Sequence, residues 1–214
     1  MCWLRLGVGG VAAAFAAVFL NQLAGPVALA GSLHACPGAD TAYDKLDYDT
    51  ARQGYTLCIE RGQLPEEELP DLFHRRGRSE MKMGDHDAAL ADFDRALAID
   101  EIHAEALNSR AWVLLLKGLP EGALPDIEAA RVLQPADARI ADSYAHVLAA
   151  LGRSDEALKA FELALSLQSR QEIAKLQENL RAAGYDAGPS DGEPGQKTRE
   201  ALAACVRDRC IIWR

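Results

Sequence analysis

A pattern of 34 residues runs three times in register through the middle of the chain, starting at Pro70, Ala104 and Ala138. Positions 8, 20 and 27 of the pattern are small in every copy, and position 24 is bulky and apolar. Position 8 is Gly77, Ala111 and Ala145 in the three copies, and position 20 is Ala89, Ala123 and Ala157. Position 27 is Ala96, Ala130 and Ala164, and position 24 is Phe93, Ile127 and Phe161. Small residues let two helices approach closely, and the bulky residue fills the space between them. The pattern predicts helix pairs stacked into an all-α array.

The ends of the helices can also be predicted from the repeat. Position 15 is Gly84, Gly118 and Gly152 in the three copies, which favours a left-handed residue that ends the first helix of each pair. We therefore expect a second helix over about residues 86–99 in the first copy and a first helix over about residues 105–117 in the second. Pro125 lies about one turn inside a predicted helix, where we expect a distortion rather than a break.

The period and the small and bulky positions resemble the tetratricopeptide repeat (TPR). The resemblance implies a helix-turn-helix solenoid with repeats at residues 70–103, 104–137 and 138–171, which binds a protein or peptide in its groove without catalysing a reaction. Residues 31–69 match part of a further repeat, because Tyr55 and Cys58 fall at the positions of Phe93 and Ala96. We interpret residues 31–69 as a degenerate half-repeat, with its first helix eroded, that caps the array.

In this family, positions 2, 5, 9 and 12 of each first helix line the concave face. The candidate partner-binding residues in this groove are His74, Arg78, Asn108, Trp112, Arg139, Asp142 and His146. We expect Trp112 to be the anchor, because Ala111 fills the tight helix contact beside it; the alternative is that Trp112 packs as core against Met81 or a neighbouring helix. Some repeats of this family grip a terminal carboxylate, but of the five positions concerned only Arg139 keeps the expected charge.

The chain offers little that is typical of an enzyme or a metal site. Asp142 and His146 are four residues apart and share a helix face, but no third ligand is evident, so we interpret them as a solvated polar pair. The chain has no G-x-S-x-G, H-E-x-x-H or phosphate-cradling loop. We predict no catalytic site, no metal and no cofactor.

The last segment, residues 172–214, has a different character. Its order of residues resembles the small helical peptidoglycan-binding domain, carried here by Leu176-Gln177, Leu180, Gly184-Tyr185, Gly188, Asp191-Gly192, Gly195, Thr198 and Ala201-Leu202. The resemblance implies a helix, a loop rich in Gly and Asp, a second helix, and a glycan-binding loop with Tyr185, Asp191 and Thr198. This sequence departs from the family at Pro194 and Cys205-Val206 and nearly lacks the third helix. The alternative is that residues 172–183 only cap the array, and one helix could do both.

Residues 1–30 are interpreted as a secretory signal peptide. One positive charge, Arg5, precedes an apolar run, and Ala28-Leu29-Ala30 is an A-x-A cleavage signal. The alternatives are an uncleaved anchor and a lipoprotein box ending at Cys36. Cleavage would leave 22 basic and 32 acidic residues, a balance that disfavours nucleic acid and anionic lipid as partners. We expect an exported, periplasmic protein with no stable membrane insertion after cleavage.

Removal of that segment leaves the four cysteines Cys36, Cys58, Cys205 and Cys210. An even number in an exported chain indicates disulfides, with three pairings available. We favour Cys36–Cys58 and Cys205–Cys210, because each pair lies within one end of the chain. Residues five apart on a continuous helix have Cα atoms roughly 8–9 Å apart, beyond the bridging limit of about 7 Å. The last helix must then end near residues 206–208, and residues 211–213 would fold back onto the C-terminal module.

Two functions remain open from the sequence. The first is a periplasmic scaffold that binds a protein or peptide in the TPR groove. The second is a cell-wall recognition subunit in which the C-terminal module binds peptidoglycan and the repeats are a spacer.

Overall fold

The computed structural model describes residues 36–62 and 64–210, and every regular element in this part of the chain is helical. A short 3-10 helix at Glu66–Glu68 precedes the third α-helix. The α-helices are α1 (Pro37–Asp44), α2 (Tyr48–Glu60), α3 (Leu69–Met83), α4 (His86–Ile99), α5 (Ala104–Leu116), α6 (Pro120–Leu133), α7 (Ala138–Ala150), α8 (Ser154–Leu167), α9 (Arg170–Ala182) and α10 (Gln196–Arg207). The predicted signal peptide and most of the lipoprotein box lie outside the described residues.

The three predicted repeats form the helix pairs α3–α4, α5–α6 and α7–α8. The glycines at position 15 follow the first helix of each pair with φ of 84°, 74° and 75°, so the predicted left-handed ends are confirmed. The small residue at position 8 has a steric reason: a Cβ on Gly77 would lie 2.7 Å from the ring of Phe93. The bulky residues at position 24 are at most 2% exposed, which confirms that they fill the space within each pair. Helix α6 continues through Pro125 without the break that the sequence argument excluded; the expected distortion stays a prediction.

An arginine–aspartate pair, not predicted from the sequence, joins the two helices within each of the first two repeats. Arg76 binds Asp92 through two hydrogen bonds of 2.6 and 2.7 Å, and Arg110 binds Asp126 through two of 2.7 Å. Both arginines occupy position 7 and both aspartates position 23 of the repeat. The third repeat has Tyr144 and Ala160 at these positions. Paired forks of this kind fix the register of two helices.

The N-terminal cap corrects one expectation. Its first helix is not eroded but is present as the eight residues of α1, which pack on α2. The core of the cap includes Cys36, Ala39, Tyr55 and Leu72, the last of these from α3. The Tyr55 hydroxyl donates a 2.6 Å hydrogen bond to Asp40. Cys36 and Cys58 are paired with Cα atoms 6.3 Å apart, within bridging range.

The C-terminal helices share a core with the last repeat. Helix α9 begins at Arg170, two residues before the predicted boundary, because Ser169 and Glu172 form a capping box. Leu148 of α7, Phe161 of α8, Leu180 of α9 and Leu202 of α10 belong to one buried cluster. The cap-helix interpretation and the module interpretation of α9 therefore both hold.

The end of the last helix follows the expectation from the cysteines. Helix α10 ends at Arg207, and Arg209 has a φ of 53°, which turns the chain back. Cys205 and Cys210 then come to 5.0 Å between Cα atoms and are paired. The expected return of residues 211–213 lies outside the described residues.

Candidate functional site

The first helices of the three repeats, α3, α5 and α7, form the walls of a groove that the N-terminal half of α9 extends. The groove encloses a cavity of about 460 Å³, within the range of volumes that hold ligands in proteins. Its lining combines apolar side chains, such as Met81 and Trp112, with charged and hydroxyl side chains.

Six of the seven predicted groove residues line this cavity: His74, Arg78, Asn108, Trp112, Arg139 and Asp142. The seventh, His146, does not. It is 2% exposed, and its ring lies edge-on between Trp112 at 5.5 Å and Phe161 at 5.0 Å. His146 has the same repeat position as Trp112, but the Trp112 ring packs against it, so it supports the groove from beneath.

Trp112 takes part in both the groove and the core. The side chain is partly buried, lines the cavity, and packs against the cluster that contains Leu115 and Ile127. The two interpretations of Trp112 thus both apply to one side chain. Its exposed part leaves apolar area accessible in the groove, and its buried part packs against the core.

His74 lies at the bottom of the groove and is 7% exposed. Its Nε2 lies 3.0 Å from the Ser109 hydroxyl oxygen. Burial lowers the pKa of His74 from 6.5 to about 3, and the nearby positive charges of Arg78 and His103 act in the same direction. His74 is therefore neutral in the folded protein near neutral pH and provides hydrogen bonding without charge.

Asp142 and His146 differ from the sequence interpretation. Asp142 is 5% exposed, so the pair is buried rather than solvated, with His146 Nε2 3.9 Å from Asp142 Oδ2. Buried carboxylates need polar or charged neighbours. Within residues 36–62 and 64–210, no group of three His, Cys, Asp or Glu side chains is arranged to hold a metal ion.

The charged rim of the groove is engaged mostly by other residues of the chain. Arg139 binds Asp137 at 2.7 Å, and Lys175 binds Glu178 at 3.1 Å. Glu105 accepts a 2.9 Å hydrogen bond from Gln134. The remaining rim cations, on α3, are Arg78 and Lys82; the Arg78 guanidinium lies 4.9 Å from the centre of the Tyr43 ring.

The C-terminal loop between α9 and α10 is organised by Gln177, which is 1% exposed. Its side-chain nitrogen donates to the Glu193 carbonyl at 2.9 Å and to the Thr198 hydroxyl at 3.1 Å. Its side-chain oxygen accepts from the Gly192 N–H at 3.0 Å. Gln177 was missed as a functional residue, although a polar residue beside Leu176 on the apolar face of α9 is the signal that could have found it.

The three predicted glycan-loop residues have different surroundings. Thr198 is 1% exposed and its hydroxyl donates to the Ala187 carbonyl at 3.0 Å, so its prediction as a ligand contact is corrected to a structural role. Asp191 is exposed, but its Oδ1 accepts from the Glu193 N–H at 2.9 Å. The Tyr185 hydroxyl donates to Asp208 at 2.9 Å. Asp191 and Tyr185 remain accessible.

Family comparisons match these regions. Two tetratricopeptide repeat models match residues 74–138 and 138–171. A model described as a putative peptidoglycan binding domain matches residues 169–205. No curated protein sequence matches the chain.

Several solved structures share the fold. TTC0263, a thermophilic TPR protein of Thermus thermophilus, is 19% identical with a TM-score of 0.59 over 80% of this chain and 96% of that one. MamA from Desulfovibrio magneticus RS-1 is 20% identical with a TM-score of 0.56 over 80% and 90%. YrrB, described as a TPR protein with an unusual peptide-binding site, is 19% identical with a TM-score of 0.53 over 81% and 85%.

In the described part of this chain, every helix is too short or too polar to span a bilayer.

Proposed function

Because this chain is a tetratricopeptide repeat protein with a C-terminal segment of the peptidoglycan-binding type, we propose that it is a non-enzymatic scaffold of the periplasm that binds a protein or peptide partner in its groove. The observation that carries the proposal is the cavity between α3, α5 and α7 with Trp112 on its wall. Partly exposed aromatic side chains inside a concave surface are typical anchors of protein interfaces.

The composition of the groove supports a peptide as its ligand. An apolar ring lies beside neutral hydrogen-bonding groups, His74 and Ser109, and beside charged side chains of both signs. A peptide offers side chains and backbone amides that fit this mixture. The structural neighbour YrrB is described as having a peptide-binding site, and we extend that class of ligand to this chain.

Location in the periplasm rests on residues 1–30, with Arg5, the apolar run and Ala28-Leu29-Ala30. Terminal sequencing of the protein from fractionated cells tests this part of the proposal. A mature start just after Ala30 in the periplasmic fraction is the expected result, and an intact Met1 in the cytoplasm would contradict it.

The binding experiment compares wild type with Trp112→Ala by affinity capture from an envelope extract. We expect the variant to lose captured partners, with a loss of roughly 2 kcal/mol or more in binding to any one of them. Thermal denaturation of both proteins is the control. If the melting temperature collapses in the variant, the buried face of Trp112 dominates and the anchor assignment fails.

The second candidate is recognition of peptidoglycan, and the match of residues 169–205 favours it. Of the three predicted glycan-loop residues, Tyr185 and Asp191 are accessible. Sedimentation with isolated sacculi tests this candidate: retention that Tyr185→Ala reduces and Trp112→Ala leaves unchanged would support it. Absence of retention in the wild-type chain would contradict it.

A further inference from the structure

The α3 wall of the groove carries two cations, Arg78 and Lys82, one helical turn apart. None of the ion pairs found within residues 36–62 and 64–210 includes either side chain. The contact with the Tyr43 ring positions the Arg78 guanidinium but leaves its positive charge in place. In a chain with a formal net charge of −9, this part of the groove has a local excess of positive charge.

The other charged groups of the groove do not offset this excess. Arg139 and Lys175 are each paired with a carboxylate close in sequence, Asp137 and Glu178. Glu172 completes the capping box of α9 with Ser169. The charges of these groups, in and next to α7 and α9, are therefore paired with neighbours close in sequence or take part in a helix cap.

Two further acids complete the lining. Glu105 on α5 accepts from Gln134 and lies 3.6 Å from His103 Nδ1. Asp142 on α7 is almost fully buried beside His146. The carboxylates of the lining thus lie on α5, α7 and α9, whereas α3 carries Arg78 and Lys82 without a carboxylate partner among the described residues.

An apolar surface adjoins the basic wall. Met81 lies on α3 between Arg78 and Lys82 in sequence, and Trp112 lies on the neighbouring α5. His74, beneath them, adds no charge because burial keeps it neutral. The part of the groove between α3 and α5 thus combines an aromatic and a thioether side chain with two positive charges.

From this arrangement, and on the basis of the proposed function, we infer that the groove binds an internal acidic peptide segment. Its carboxylates pair with Arg78 and Lys82, and an apolar side chain packs on Trp112 and Met81. Neighbouring helix axes lie about 8–10 Å apart, and an extended peptide advances about 3.3 Å per residue. The acidic residues therefore stand about three residues from the apolar one.

A random library of twelve-residue peptides, displayed with both ends blocked, tests this inference with the full chain as bait. Selected peptides should be enriched in Asp and Glu two to four residues from an aromatic or aliphatic residue. A resynthesised, amidated peptide should bind Arg78→Gln/Lys82→Gln about fivefold to thirtyfold more weakly than wild type, the effect of two partly exposed ion pairs. Raising the salt from about 50 to about 300 mM should weaken binding to wild type and not to the variant.

The matched control is Lys159→Gln/Arg207→Gln, which removes two exposed cations outside the groove. It should bind the peptide as wild type does. Lys82→Gln alone, on an exposed side chain, keeps the test valid if loss of the Tyr43 contact unfolds the double variant; it should weaken binding about twofold to fivefold.

The other outcomes separate the inference from the proposed function. Enrichment of neutral or basic peptides, or binding only when the peptide has a free terminal carboxylate, overturns the internal acidic segment while peptide binding stands. If wild type enriches no peptide above an unrelated protein, the inference and groove binding fail together. If both double variants lose affinity equally, only net charge is being measured, and the inference is again overturned.

Discussion

Replacing Gln177 with Leu should destabilise the C-terminal module without a change of side-chain volume large enough to disturb packing. The substitution removes the buried amide that connects α9 to the loop before α10. The Gly192 N–H then loses its partner inside the protein. The Glu193 carbonyl loses the bond from Gln177 but keeps a 2.8 Å hydrogen bond from the Gly195 N–H. Thr198 keeps its bond to Ala187, so its loss is partial.

The magnitude follows from those groups. Each buried polar group left without a partner costs about 1–3 kcal/mol, and the most buried one here is the N–H of Gly192, whose residue is buried. The substituted Leu recovers a little apolar burial. We therefore expect a loss of roughly 1–3 kcal/mol in the free energy of unfolding.

Urea denaturation followed by far-UV circular dichroism measures the change, with Gln171→Leu as control because Gln171 is an exposed residue of the same helix. The control should change stability by less than about 0.5 kcal/mol. If Gln177→Leu also stays within that limit, water replaces the lost hydrogen bonds and the loop does not depend on Gln177. Because α9 and α10 share a core with α7 and α8, the loss should appear in the unfolding of the last repeat as well.

Three further predictions concern other parts of the molecule. Gly118→Val should cost about 1–2 kcal/mol through backbone strain alone, because φ is 74° and no atom lies within 4 Å of the added Cβ; Gly118→Asn should cost less in urea denaturation, and equal costs would contradict the strain. Burial and the charge of Asp92 raise the pKa of Glu80 from 4.5 to about 7, although Arg76 acts in the opposite direction. Because the folded state then holds this proton more tightly than the unfolded state, the free energy of unfolding should fall as pH rises from about 4.5 to about 7. Glu80→Gln should therefore be more stable than wild type by roughly 1–3 kcal/mol at pH 8 and by little at pH 4. Urea denaturation at both pH values measures this, and a stability difference that does not change with pH would contradict the raised pKa. Non-reducing peptide mapping should recover Cys36 joined to Cys58 and Cys205 joined to Cys210; a link between the two ends, or four free thiols, would contradict the pairing.

The repeat array could be predicted because its determinants are local and recur. Gly77 and Phe93 show side-chain volume at a fixed spacing, and Gly118 shows a backbone requirement that few other residues meet. The same reasoning predicted six residues that line the groove. These features depend on period and residue size, which a single sequence displays directly.

The parts that could not be predicted depend on contacts between distant residues. Arg76 of α3 and Asp92 of α4 pair between the two helices of the first repeat, but the third repeat lacks both residues, so the pair leaves no pattern of period 34 through all copies. His146 has the repeat position of a groove residue, and only the ring of Trp112 from the preceding repeat covers it. Thr198 has a loop position that resembles a ligand contact, and only Gln177 and Ala187 turn its hydroxyl inward. Side-chain burial of this kind is decided by tertiary packing.

Helix α9 contributes residues to both candidate sites, the groove and the C-terminal loop. One part of it extends the groove with Glu172 and Lys175, and the next turn carries Gln177 into the C-terminal loop. Its apolar residues cover the core of the last repeat, so deletion from residue 172 onward would expose Phe161 and Leu148 to water. Loss of sacculus binding, or of partner binding, in such a truncation would reflect unfolding of the last repeat as much as loss of a site. Point variants that leave α9 in place, Trp112→Ala for the groove and Tyr185→Ala for the loop, are therefore the changes that can separate a peptide scaffold from a cell-wall recognition subunit.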